Sequence, residues 1–318
     1  MKNVSLSLSL ACAALFAASA SAEYRISGPY THDNLAVFLI HGEGGGKQYL
    51  TLKEAVEQKK VVVNETGRVN ELTIENVSAQ AVFVQGGDIL KGGRQDRVLS
   101  NDFVLPSHSG KMAVSAFCVE QGRWSRRGGE SAAVFGSSAE MVSTKALKMA
   151  VKSAKNQSDV WKEVANAQTA LASSAKESPT SLQLTLESKA VTNGVEAYTK
   201  ALGDVPARMR GAIGFAFAIN GVVNSADVYA SRELFAAMWP KLLKSSAVEA
   251  LGQRKSGGTF PAASPAGVKT LLSGAERGEE SSVDVDRRVK LVSRESEKNV
   301  LFESREGEAW IHRNYIQK

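Results

Sequence analysis

Two apolar runs, Ala212–Ile219 and Val222–Tyr229, meet at Asn220-Gly221, and this junction restricts the fold more tightly than any other feature of the chain. A two-residue turn that closes a hairpin needs positive φ at its centre, which Asn and Gly tolerate, so the runs are predicted to pair as antiparallel strands. The patch is too short and too sharply turned to cross a membrane. Strand-like runs also recur at short spacing earlier in the chain, at Leu35–His41, 61–64, Glu71–Asn76, 81–85, 98–105 and 112–120, with glycine or polar residues in the gaps. Thr51 with Glu54 three residues on forms a capping box for a short helix through Lys60.

The first 22 residues read as a removable export signal. Lys2 is their only charge, an apolar Leu/Ala-rich stretch runs from Val4 to Ala18, and Ala20-Ser21-Ala22 has the small-x-small pattern of a cleavage site. A membrane anchor is the competing reading, but serines dilute the run and no basic cluster follows it. Ser9 stands where a lipoprotein signal needs Leu ahead of Cys12. The expected location is therefore periplasmic or secreted, with no stable membrane insertion after cleavage and Glu23 as the mature N-terminus.

Character changes near Ser138. From there to Gly203 the chain is rich in Ala, Lys, Ser and Glu, with apolar residues at helical spacing (Val160, Trp161, Val164, Leu171; then Val191, Val195, Tyr198, Leu202) and a break at Ser178-Pro179. After the hairpin, residues 232–244 look helical, with a kink or early stop expected at Pro240. Residues 256–265 read as a loop, 266–272 as a short helix, and 289–293, 300–304 and 309–313 as strands. The expected fold is α+β: a β-rich N-terminal unit (23–137), a helical segment around 138–203 with the hairpin (138–250), and a C-terminal α/β part (251–318) packing back onto it.

The net charge of +6 is mild, and no dense basic block interleaved with aromatics appears, so nucleic acid is not an expected partner. With Cys12 gone, Cys118 is the sole thiol, which excludes an internal disulfide and a cysteine metal cluster. No H-E-x-x-H or similar metal spacing exists, and no G-x-S-x-G elbow either.

Chemistry concentrates in two places. The stretch Gly86-Gly87-Asp88-Ile89-Leu90-Lys91-Gly92-Gly93-Arg94-Gln95-Asp96-Arg97 combines glycines, whose N–H groups can approach a ligand, with guanidinium groups that grip phosphate or carboxylate. It also reads as a hairpin with solvated charges. It is not a P-loop, because Gly93-Arg94 stands where Lys-Ser/Thr is required. The second constellation is Cys118-Val119-Glu120-Gln121-Gly122-Arg123-Trp124. Strand alternation puts Val114, Ala116, Cys118 and Glu120 on one face, so Cys118 is expected to be buried, and Trp124 could stack on a ring beside Arg123. The alternative is a core cysteine with a surface Glu–Arg pair under a packing Trp. A Cys118 nucleophile needs a histidine base, and none of His32, His41, His108 and His312 stands in a known motif.

In this order, Tyr49-Leu50-Thr51-Leu52-Lys53-Glu54-Ala55, Val61-Val62-Val63-Asn64-Glu65, Glu71-Leu72-Thr73-Ile74-Glu75-Asn76, the Gly86–Arg97 stretch and Val119-Glu120-Gln121-Gly122-Arg123-Trp124 make the chain resemble the ARG and rhodanese-phosphatase-superfamily-associated protein domain family, over about residues 35–245. Gly87-Asp88 replaces the family's Gly-Glu, and Gln95-Asp96-Arg97 its Gln-Asn-Arg. The chain after about residue 250 is not covered. The family is a domain of unknown activity, named for its association with ADP-ribosylglycohydrolases and rhodanese-phosphatases. That context implies a ligand related to ADP-ribose or another phosphorylated nucleotide.

The expectation is an exported protein that binds or processes a small anionic ligand through Gly87, Asp88, Gly92, Gly93, Arg94, Gln95, Arg97, Glu120, Arg123 and Trp124. No catalytic residue or cofactor is assigned and no metal is expected. The alternative is a non-catalytic structural or interaction protein of the cell envelope.

Overall fold

The computed structural model describes residues 24–153, 156–171, 180–255 and 260–318. The expected export signal with its cleavage site, the Ser178-Pro179 break and residues 256–259 of the expected 256–265 loop lie outside the described residues.

In chain order the first elements are β1 (Arg25–His32), β2 (Leu35–His41), β3 (Leu50–Thr51), α1 (Leu52–Glu57), β4 (Val61–Glu65), β5 (Glu71–Asn76) and β6 (Val82–Val84). Then come β7 (Asp88–Gly92), β8 (Arg97–Leu99), β9 (Phe103–Leu105), β10 (Gly110–Cys118) and β11 (Phe135–Met141). Helices α2 (Lys145–Ser153), α3 (Gln157–Leu171), α4 (Leu182–Glu187) and α5 (Lys189–Leu202) precede the hairpin strands β12 (Ala212–Ile219) and β13 (Val222–Tyr229). The chain ends with α6 (Arg232–Gly252), α7 (Pro265–Glu276), β14 (Glu279–Asp284), β15 (Val289–Glu295), β16 (Asn299–Glu306) and β17 (Ala309–Gln317).

The Asn220-Gly221 turn forms with φ of 51° and 80°, and its strands lie at the middle of an eight-stranded sheet of order β1-β2-β12-β13-β17-β16-β15-β14. Every pairing in it is antiparallel. Alternation sorts its side chains: Ala216, Ala218, Phe38 and Ile40 meet α7 on one face, while Phe215, Phe217, Val37 and Leu39 face the other helices. The N-terminal strands β1 and β2 and the C-terminal strands β14–β17 therefore share one sheet, and the C-terminal part packs back by strand pairing.

The segment from β3 to β11 builds a second unit. A six-stranded sheet (β11-β7-β8-β10-β5-β4) and a three-stranded one (β3-β6-β9) close over Leu52, Val63, Ile74, Leu90, Leu99 and Phe135. The Thr51–Glu54 capping box is formed, both halves present. The predicted 98–105 strand is two strands, β8 and β9, in different sheets, because Ser100, Asn101 and Asp102 interrupt the run and Asp102 is drawn inward to accept from the Gly86 N–H at 2.8 Å. Strand β7 falls within what looked like a loop, and β11 extends across Ser138, so helix begins only at Lys145. Helix α6 continues through Pro240 to Gly252. Pro240 and Ala236, whose carbonyl loses its partner, are both exposed, so water can satisfy that group.

Candidate functional site

The Gly86–Arg97 stretch is divided between two places. Its first residues turn inward: the Gly86 N–H donates to Asp102 Oδ1, and Asp88 forms a buried pair with Lys241 at 2.7 Å. Gly87, at φ +101°, makes the turn into β7. The second part, from Gly92, meets the segment after β10. Gly93, at φ +56°, is required there, since a Cβ would lie 2.2 Å from Cζ of Phe135.

Asp96, fully buried, organises this meeting point. Its Oδ1 accepts from the Gly92 N–H (3.0 Å) and Arg127 Nη2 (3.0 Å), and its Oδ2 from Arg127 Nη1 (2.8 Å) and the Ser181 hydroxyl (2.7 Å). Ser181 also caps α4. Glu120 accepts from Arg123 Nε at 2.7 Å and from the Asp96 N–H at 3.3 Å, with Arg127 Nη1 3.6 Å away. Arg123 donates to the carbonyls of Gly92, Gly93 and Ser125. Gly92, Gly93, Glu120 and Arg123 are thus brought together, by Asp96, Arg127 and Ser181, which carried no assigned role in the sequence reading. The Arg126-Arg127-Gly128-Gly129 run was the available signal for Arg127.

Arg97 points elsewhere. It is paired across strands with Cys118, lies against the Cys118 sulfur, and donates to both Glu65 oxygens at 3.3 Å. Burial pushes the Cys118 thiol up to about 11, with Arg97 pulling partly the other way. Such a thiol carries little thiolate at neutral pH, which favours the core-cysteine reading over a nucleophile.

On the surface of this meeting point, Arg94 and Arg126 are exposed and without acceptors among the described residues, and Trp124 is 51% exposed. Because Arg123 Nη1 contacts the carbonyls of both Gly93 (3.2 Å) and Ser125 (2.6 Å), Arg94 and Arg126 leave neighbouring points of the backbone. Gln95, fully buried, has neither side-chain atom partnered, and Arg97 Nε is also unpartnered.

A second polar centre lies where the two units meet. His312, completely buried, places Nδ1 2.7 Å from Asp102 and Nε2 3.0 Å from Asp227, stacked on Tyr229 at 4.5 Å. Burial alone would lower its pKa, but Asp102 and then Asp227 raise it, so the imidazolium is favoured. Asp102 is held well below the usual carboxylate range: Lys152 and His312 outweigh the cost of burial. With both ring nitrogens committed to carboxylates, His312 keeps no lone pair for a metal. Among the described residues no group of three or more His, Cys, Asp or Glu is placed to hold a metal ion, and no helix is long and apolar enough to cross a membrane.

The chain belongs to the ARG and Rhodanese-Phosphatase-superfamily-associated Protein domain family, whose profile matches residues 23–316. The match passes the limit near residue 245 that the motifs suggested and takes in the C-terminal strands, as their place in the shared sheet requires. No curated protein and no solved structure matches the chain.

Proposed function

We propose that this is an exported protein that binds a small anionic ligand where the Gly92–Arg97 loop meets residues 120–127. The observation that carries the reading is the pair of exposed guanidinium groups, Arg94 and Arg126, without acceptors among the described residues and close to the exposed Trp124. Arg94 and Arg126 supply positive charge, Trp124 a stacking face, and the Asp96–Arg127–Glu120–Arg123 network a rigid base. The family's association with ADP-ribose chemistry favours a phosphorylated, nucleotide-like anion. Export rests on Lys2, the apolar run and Ala20-Ser21-Ala22.

The rival, a non-catalytic envelope protein, is favoured by the pairing of Arg97, Arg123 and Arg127 with Glu65, Glu120 and Asp96. Metabolite capture on the purified mature protein, read by mass spectrometry, followed by titration of captured anions, separates the two. Arg94→Ala with Arg126→Ala is expected to weaken binding about tenfold or more at unchanged melting temperature. No captured anion, or equal affinity in the double variant, favours the rival.

A further inference from the structure

A cavity of about 100 Å³ opens where the start of α6 meets the turn between β16 and β17. Its wall is largely apolar, built from Tyr49, Ala230, Leu234, Ala309 and Ile311. Gly46 closes one side. Its N–H donates to the Ala230 carbonyl at 2.8 Å, and a Cβ on it would lie 2.7 Å from that carbonyl, so only glycine lets the loop 42–46 lie this close. A dry apolar cavity of about 150 Å³ takes up benzene, which is about 25 Å³ per carbon, so about four carbons fill this one.

The charged residues lining this cavity, Lys47 and Glu306, are paired with each other. Lys47 Nζ lies 3.2 Å from Glu306 Oε2 and 5.4 Å from the Tyr49 ring centre. The pair is only partly used. Glu306 Oε2 also accepts from the Tyr49 hydroxyl at 3.1 Å, but Oε1 takes no hydrogen bond among the described residues. Lys47 spends one of its three donors on Glu306, and its side chain is 56% exposed. Ser231 in the wall is committed, capping the Leu234 N–H and donating to Glu233. Of the neighbouring cations, Arg313 bonds Glu303, and exposed Arg288 lies 3.9 Å from Glu306 Oε1. Arg232 and Glu233 offset each other in the first turn of α6.

We infer that this cavity binds a zwitterionic α-amino acid with a branched four-carbon side chain, of the leucine or isoleucine type. The side chain fills the apolar room, while the head group stays at the mouth. Its ammonium lies on Glu306 Oε1, and its carboxylate accepts from the remaining Lys47 donors. Each end of the zwitterion meets one opposite charge, and the Lys47–Glu306 pair need not open. An anion or a cation of the same size satisfies only one of the two. The cavity is separate from the Arg94 face and does not rest on the function of that face.

The probes are leucine, alanine, 4-methylpentanoate and 3-methylbutylamine, titrated by calorimetry into the purified protein at neutral pH. Leucine is expected to bind saturably. Alanine, three carbons shorter, is expected to bind about tenfold or more weaker for lack of apolar burial. The pentanoate, which lacks the ammonium, is expected to be about tenfold or more weaker, because half-buried Glu306 goes unmatched. The amine, which lacks the carboxylate, is expected to lose about three- to fivefold, because Lys47 is exposed. Lys47→Met is expected to bind leucine and the amine equally, and Arg94→Ala with Arg126→Ala to change nothing. Should Lys47→Met fail to fold, the four wild-type affinities decide. No saturable leucine binding, any of the three analogues binding as tightly as leucine, or a folded Lys47→Met protein that still prefers leucine to the amine overturns the proposal.

Discussion

Replacing His312 by asparagine tests how strongly the two units are joined. The imidazole bridges Asp102, from the β3–β11 unit, and Asp227, from the large sheet, and asparagine is too short to span both. Removing one partner of a buried pair costs about 3–5 kcal/mol because the other charge stays buried and uncompensated. Asp102 keeps the Gly86 N–H, the Ser304 hydroxyl and Lys152, and Asp227 keeps Asn314, so the low end, about 3 kcal/mol, is expected. Against a total of roughly 5–15 kcal/mol, that is a large fraction. The pH dependence carries a sign. Since the folded pKa of His312 lies above the unfolded value, its contribution is fully present below about pH 6.5 and is lost as pH rises through the folded value. In that window the native state holds the extra proton, and stability falls with rising pH by at most about 1.4 kcal/mol per unit. Asp102 behaves oppositely: its contribution is present above about pH 4 and fades only as strong acid protonates it. Urea unfolding of wild type and His312→Asn from pH 5 to pH 9 measures the loss on substitution and the alkaline decline due to His312. A variant within about 1 kcal/mol of wild type at pH 6, or one that retains the alkaline decline, would refute the reasoning.

Cys118, buried and with its thiol pushed up to about 11, is expected to react with thiol reagents slowly in the native protein and rapidly in denaturant, as absorbance-monitored labelling would show. Gly93→Ala forces a Cβ into the Phe135 ring at positive φ and is expected to cost about 1–3 kcal/mol in urea melts, whereas Gly129→Ala, with open space around it, changes little. Arg127→Ala leaves Asp96 buried with one guanidinium removed, and a drop of about 3 kcal/mol is expected, with protease cleavage appearing first in residues 121–130. N-terminal sequencing of exported protein is expected to begin at Glu23, and recovery of uncleaved Met1 in the cytosol would contradict the export reading.

Local patterns made much of the scaffold legible. The Asn220-Gly221 turn, the Thr51–Glu54 cap and the burial of Cys118 each depend on residues within a few positions, where strand period and cap spacing act directly. The meeting of Gly92–Gly93 with Glu120 and Arg123 was also within reach, because β8 and β10 are neighbours along the chain as well as in the sheet. Only the tertiary structure decided which charges would be consumed. Arg97 and Arg123 look alike in sequence, yet one pairs with Glu65, 32 residues back, and the other with Glu120 three residues away. The His312 centre left no local trace at all: Asp102 and His312 are 210 positions apart, and Asp227 lies 85 from His312. A polar residue on a strand face looks the same to its neighbours whether that face meets water or another unit. Its partners are chosen when Asp102 leaves the edge of β9 and the second unit settles onto β13 and β17.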